Sequence, residues 1–215
     1  MKRGIFLFLL LAALLLLAAC NKTTPVTATS APAGQSAPSA GEAEPAPREG
    51  IGFHHAQITV KDYGAITLEL DGDTAPITVA NFMKLANEGF YDGLTFHRIM
   101  DGFMIQGGDP LGNGRGGADE QIKGEFSANG IENDISHVKG VISMARATPP
   151  DSASSQFFIV VADSTFLDGQ YAGFGHVTEG MEIVEQIAKD AKPVDDNGTI
   201  LPEDQPVIES IVILD

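Results

Sequence analysis

Residues 96–109 read Phe-His-Arg-Ile-Met-Asp-Gly-Phe-Met-Ile-Gln-Gly-Gly-Asp, an apolar run that holds one fixed cation, Arg98, and one amide, Gln106, and ends in paired glycines. Phe, Ile and Met at this density suit the pleated, half-buried surface of a sheet. An arginine does not shed its charge, so placing one among apolar neighbours requires compensation. One solution is a structural ion pair. The other is a charge kept for chemistry.

The first twenty residues do not belong to the same folding unit. Lys2 and Arg3 precede an apolar stretch from Gly4 to Ala19, whose end reads Leu17-Ala18-Ala19 before Cys20. The stretch is shorter than the ~20 residues of a spanning helix. A charged start, a short apolar run and small residues before a break mark a secretory signal, here residues 1–19. The single cysteine of the chain, Cys20, falls where a lipoprotein signal is cut. It has no disulfide partner within the chain, so we read it as the lipid-modified first residue of the mature protein. Because one acyl chain anchors only marginally, stable attachment implies more than one chain there.

Residues 20–50 are mostly Ala, Pro, Ser, Thr, Gly and Gln. Such a segment buries too little apolar surface to offset its ordering entropy, so it reads as a flexible, locally extended tether. Without Lys2 and Arg3 the chain carries 11 basic against 29 acidic residues, a net charge of −18. This balance argues against nucleic acid as a partner and against electrostatic adhesion to anionic lipid. The expected location is extracytoplasmic, on a bacterial membrane through the lipid of Cys20.

Residues 51–215 form the expected globular domain, without repeats at solenoid periods. Alternation predicts strands at 54–60 and 65–70, with a hairpin turn at Lys61-Asp62-Tyr63-Gly64. Thr74 or Ala75 caps a helix that has Pro76 in its first turn, and Val79, Phe82, Met83 and Ala86 share a face. Further strands are predicted at 94–99, 103–106, 140–145, 156–161, 172–177 and 207–214. A second helix over 181–189 turns Ile183, Val184 and Ile187 inward. Many strands with two well-separated helices predict a mainly β fold, a closed or strongly curved antiparallel sheet with helices over its ends.

Phe96-His97-Arg98-Ile99 followed by Gly102-Phe103-Met104-Ile105-Gln106-Gly107-Gly108-Asp109 resembles the signature of cyclophilin-type peptidyl-prolyl cis-trans isomerases. Gly140-Val141-Ile142-Ser143-Met144-Ala145, Ser155-Gln156-Phe157-Phe158-Ile159, and Phe174-Gly175-His176-Val177 with Glu179-Gly180-Met181 agree with the family and follow its order. The resemblance spans nearly all of 54–215 and implies a closed eight-stranded antiparallel barrel capped by two helices. It implies catalysis by Arg98 with Gln106 bracing it, and a proline pocket lined by Phe103, Met104, Phe158 and Leu167. Ala145 and Arg146 would present backbone groups to the residue before proline, and Gln156 would add a polar contact. The implied partners are proline-containing unfolded or flexible polypeptides. No metal or other cofactor is implied, and a monomer is the default.

Three positions depart from the family pattern. Phe166 stands where many members carry tryptophan; phenylalanine keeps an aromatic wall and loses the indole donor, so the resemblance leaves cyclosporin sensitivity open. Tyr171 replaces a pocket histidine of many members. Arg115, in Gly112-Asn113-Gly114-Arg115-Gly116-Gly117, falls near the family's small gatekeeper residue beside a side pocket.

Rival chemistries find little support. The same glycine stretch matches G-x-G-x-x-G but lacks the strand before it and the helix after it that a dinucleotide site needs. His54 and His55 are adjacent on a strand and point to opposite faces. His97, His137 and His176 have no ligand spacing, no Ser-His-Asp arrangement is suggested, and Asp195-Asp196-Asn197-Gly198 reads as a turn rather than a calcium loop. A cyclophilin scaffold that only binds client chains is the serious competitor to an enzyme. Mere docking, however, needs no charge at a proline nitrogen.

Overall fold

The computed structural model describes residues 50–215. The signal, Cys20 and all but the last residue of the expected tether lie outside the described residues. Alternation builds the first hairpin: Ala56, Ile58 and Val60 of β1 (Phe53–Val60) and Ile66, Leu68 and Leu70 of β2 (Gly64–Asp71) are buried. Residues two apart share a face, so this one register, with Ile58 opposite Ile66, sends both apolar sets inward together.

Helix α1 (Pro76–Asn87) begins as its proline suggests, with Ala75 at the cap position and no local side-chain cap. The cap comes from far along the chain. The buried Glu125 carboxylate accepts the backbone N–H of Ile77 at 3.2 Å and of Thr78 at 2.8 Å, and the Thr78 hydroxyl at 2.8 Å. A carboxylate there satisfies orphan amides and complements the helix dipole. Val79, Phe82, Leu85 and Ala86 bury one face, with Met83 half-buried. Helix α2 (Met181–Asp190) buries Val184, Ile187 and Ala188, and Ile183 packs at the edge of the core.

The remaining strands are β3 (Phe96–Met100), β4 (Met104–Gly107), β5 (Val141–Met144), β6 (Phe157–Val160), β7 (Ala172–Glu179) and β8 (Ile208–Ile213). All pairings are antiparallel, in the order β3-β4-β6-β5-β7-β2-β1-β8. The expected closed ladder is corrected here, because the two end strands do not pair along their length. The sheet is curled, and its ends meet at a short seam: a bridge between Thr95 and Val207, with Phe96 N–H on Pro206 O and Ile208 N–H on Leu94 O. Pro206 has no N–H to give, which stops the ladder there.

Phe82 sits at the centre of the main core, 5.3 Å from the Tyr91 ring, 5.6 Å from Phe157 and 5.3 Å from Phe174. A second, smaller apolar cluster (Met104, Val141, Phe158, Val160 and Leu167) is separate from it.

Candidate active site

Strands β4 and β6 feed both clusters by alternation. Ile105, Phe157 and Ile159 enter the main core, whereas Met104, Phe158 and Val160 stand on the other face. That outer face floors a cavity of about 490 Å³, with Phe103, Met104, Phe158 and Leu167 in its wall. Aromatic and aliphatic walls with a few placed polar groups suit capture of a small apolar ring.

Arg98 leaves β3 directly opposite Gln106 of β4 and lines this cavity. Its Nε donates to Asn197 O at 2.7 Å and its Nη1 to Gln106 Oε1 at 3.1 Å. Two thioethers complete the surroundings, Met104 Sδ at 3.8 Å from Nη1 and Met100 Sδ at 3.4 Å from Nη2. Among the described residues no carboxylate pairs with it; the ion pairs that form involve lysines and histidines. Burial lowers its pKa from the ordinary arginine value, while Tyr171 and Asp195 act in the opposite direction. The ion-pair solution is therefore absent among these residues, and the charge is compensated by a carbonyl, an amide and the face of an aromatic ring, Phe103, whose centroid is 5.9 Å from the guanidinium carbon.

The carbonyl depends on a turn. The Asp195 carboxylate accepts the Asn197 N–H, the Thr199 N–H and the Thr199 hydroxyl, bonds that hold its pKa below the usual carboxylate range. Gly198 is required: its φ is +84°, and a Cβ there would lie 2.5 Å from Met100 Cγ and 2.6 Å from Ile99 O. So close an approach lets 198–200 pair along β3 through Ile99 N–H to Gly198 O and Ile200 N–H to His97 O. The expected turn at 195–198 is present, and its role as a brace for Arg98 was not legible in the sequence.

On the other side runs an amide relay. Gln106 Nε2 donates to Gln156 Oε1 at 2.9 Å, and Gln156 Nε2 donates to Gly116 O at 2.7 Å. Each amide thus has its orientation set by the next, and Gln106 offers its oxygen to Arg98.

Nine of the residues anticipated from sequence or resemblance line this one cavity: Arg98, Gln106, Phe103, Met104, Ala145, Arg146, Phe158, Leu167 and Tyr171. Gln156 instead lines an adjoining cavity of about 450 Å³ that shares Gln106, Gly114, Arg115, Ala145 and Arg146 with the first. The structure does not bring Phe166 into the wall. Its ring is 66% exposed and packs on Phe103 at 5.6 Å, so it supports the wall from outside. Asn113, Asn197, Thr199 and His97 line the cavity without having been anticipated. His97 is buried with neither ring nitrogen hydrogen-bonded among the described residues, and burial pushes its pKa down, which favours the neutral imidazole.

A second correction lies behind Phe158. His137 Nδ1 meets Asp168 Oδ1 at 2.8 Å and His137 Nε2 meets Ser143 Oγ at 2.9 Å, a Ser-His-Asp chain that the sequence did not suggest. Ser143 and His137 are fully buried, so no substrate reaches the hydroxyl. The imidazole stacks on Phe158 at 6.0 Å and 18°, which makes the chain a backing for the pocket wall.

The sequence profile of the family "Cyclophilin type peptidyl-prolyl cis-trans isomerase/CLD" matches residues 55–214. Peptidyl-prolyl cis-trans isomerase B of Bacillus subtilis is 44% identical over 144 residues, covering 67% of this chain and 92% of that one. Peptidyl-prolyl cis-trans isomerase-like 1 of Rhizopus delemar is 48% identical over 125 residues, 58% of this chain and 74% of that one. A crystal structure of a Cryptosporidium parvum cyclophilin type isomerase, in the presence of the dipeptide Ala-Pro, superposes with a TM-score of 0.66. It has 31% identity and covers 75% of this chain and 99% of that one. Fold and profile define one class of enzyme, and the chain belongs to the cyclophilin-type peptidyl-prolyl cis-trans isomerases.

Proposed function

We propose that Arg98 accelerates rotation about X-Pro bonds by donating to the proline nitrogen as the amide twists. In the planar ground state that nitrogen is conjugated, with a barrier of ~18–20 kcal/mol for an ordinary peptide bond. Uncatalysed exchange at proline takes tens to hundreds of seconds. In the twisted state the nitrogen regains a lone pair, and a donor aimed at it binds that state more tightly than either planar isomer. No nucleophile, metal or other cofactor enters the step.

The observation that carries this reading is a fixed cation held at an apolar pocket with no carboxylate partner among the described residues. Of its N–H groups, those on oxygen set its position; the two thioether contacts are weak and give way to a better acceptor. Phe103, Met104, Phe158 and Leu167 would grip the ring while the preceding residue rotates. The test is cis-to-trans exchange of a proline peptide, followed by NMR with the full chain and with Arg98→Ala. Fast exchange lost in the variant is expected. Equal exchange in both would remove Arg98 from the mechanism.

We further propose that residues 1–19 are a lipoprotein signal, 20–50 a tether lipidated on Cys20, and 51–215 the isomerase domain, which acts as a monomer. The charged start, short apolar run and cleavage pattern before Cys20 support a location outside the cytoplasm, with exported proteins as clients. In cells, Cys20→Ala is expected to abolish incorporation of a labelled fatty acid. Unchanged incorporation would refute lipidation at this residue.

A further inference from the structure

All three arginines of residues 50–215 (Arg98, Arg115 and Arg146) line the cavity over Phe158, and Arg115 and Arg146 line the adjoining cavity as well. None of the described Asp and Glu residues lines either cavity. In a chain with 29 acidic and 13 basic residues this separation of charge is not what random placement would give. Elsewhere three of the six described lysines take carboxylate partners: Lys84 with Glu120, Lys139 with Glu185, and Lys192 with Asp204. Among the described residues neither Arg115 nor Arg146 has an ion-pair partner.

Both cations stand on built supports. The buried Asp109 carboxylate accepts the N–H of Leu111, Asn113, Gly114 and Arg115 at 2.6–3.1 Å, and Asn113 Oδ1 also accepts the Arg115 N–H. Burial acts to raise the Asp109 pKa, but these amides hold it below the usual range, so the anion that shapes the loop is retained. The Arg146 guanidinium lies 4.9 Å from the Phe126 ring and 4.8 Å from the Tyr171 ring. Its Nε is bound to Gln170 O, and its Nη1 to Ala147 O and Thr148 O. Among the described residues no acceptor is bound to Nη2.

We propose that the adjoining cavity recognises a carboxylate side chain two or three residues before the proline, making this isomerase selective for acidic segments. The inference rests on the isomerase reading above. By family resemblance, Ala145 and Arg146 flank the residue preceding proline, and both belong to the wall shared by the two cavities. At ~3.3–3.6 Å per extended residue, a side chain two or three positions earlier falls in the neighbouring cavity. There it meets Arg115 and Arg146 and no competing acid.

The test uses the full chain and three peptides that differ only in Glu, Gln or Lys at those positions, with affinity from NMR titration and turnover from exchange. We expect Glu to exceed Gln by about three- to tenfold, and Gln to exceed Lys, at low salt. The gap should shrink in about 0.5 M salt. Arg115 is exposed, so Arg115→Glu keeps the fold, and it should reverse the order of Glu and Lys. Equal affinity for the three peptides overturns the proposal, and so does an order that Arg115→Glu leaves unchanged. Charge-ordered binding without exchange on any peptide would uphold the selectivity and refute the isomerase reading.

Discussion

The inner and outer faces of β4 and β6 are made of much the same residue types, yet they are built to different ends. Inside, Ile105, Phe157 and Ile159 close against Phe82, Tyr91 and Phe96, with aromatic rings edge-on at 5.6–6.1 Å around Phe157. Outside, Met104 and Phe158 pack with Leu167 and Tyr171 and leave a cavity open above them. Apolar surface buried by its own chain stabilises the fold; apolar surface left for a visitor stabilises a complex. Two neighbours in sequence, Phe157 and Phe158, thus belong to different accounts of the molecule.

The widest split should come from truncating that pair. Phe157→Ala is expected to cost about 3–5 kcal/mol of stability, read from urea unfolding, because it empties the middle of a packed aromatic group. Phe158→Ala should lose less stability and weaken proline-peptide affinity more. Equal stability losses with unaltered affinity would erase the distinction between the faces. Next is Arg98→Ala, for which exchange should fall by roughly 10²–10³-fold while the unfolding midpoint barely moves. An unfolding midpoint that drops with activity would make Arg98 a structural cation. Gln106→Leu breaks the amide relay and leaves Arg98 a brace short; a fall of about tenfold in exchange is expected, with smaller change in affinity.

The smallest effect concerns pH. Burial lowers the pKa of His97 and His137, so their contribution to stability is present above the unfolded value of about 6.5 and is lost as pH falls below it. Asp109 and Asp168 are held low by hydrogen bonds against the opposing effect of burial, so their contribution persists to about pH 4 and is lost below that. All four groups favour the folded state as pH rises. The urea midpoint should therefore drop in two steps on acidification, while exchange per folded molecule stays flat from about pH 6 to 9 because Arg98 does not titrate there. A bell-shaped exchange profile would point to proton transfer and against the proposed mechanism.

Much of this was legible in the chain. Period-two alternation located the hairpin of β1 and β2, Pro76 located the start of α1, and the 96–109 block located the arginine. What escaped has a common physical cause. The brace for Arg98 is the backbone carbonyl of Asn197, and a carbonyl carries no residue identity to read. The cap of α1 is Glu125, 47 residues beyond Thr78, so no local pattern announces it. The Ser143–His137–Asp168 chain is assembled from three separate segments, and only the fold brings them together. Full closure of the barrel was expected from resemblance; a proline without an N–H at the seam is why the ladder stops short.

That seam has a consequence for how the enzyme fails on heating. Opening of a protein begins where few bonds hold the chain, well below the global unfolding temperature. β3 is an end strand of the sheet, and the segment laid along it, 198–200, carries the turn that steadies Arg98. Amides of Ile99 and Ile200 should exchange with deuterium earlier than those of β1 and β2. Catalytic power should then fade on warming while circular dichroism still reports an intact sheet, so that this edge of the sheet, rather than the core, sets the temperature at which the enzyme stops working.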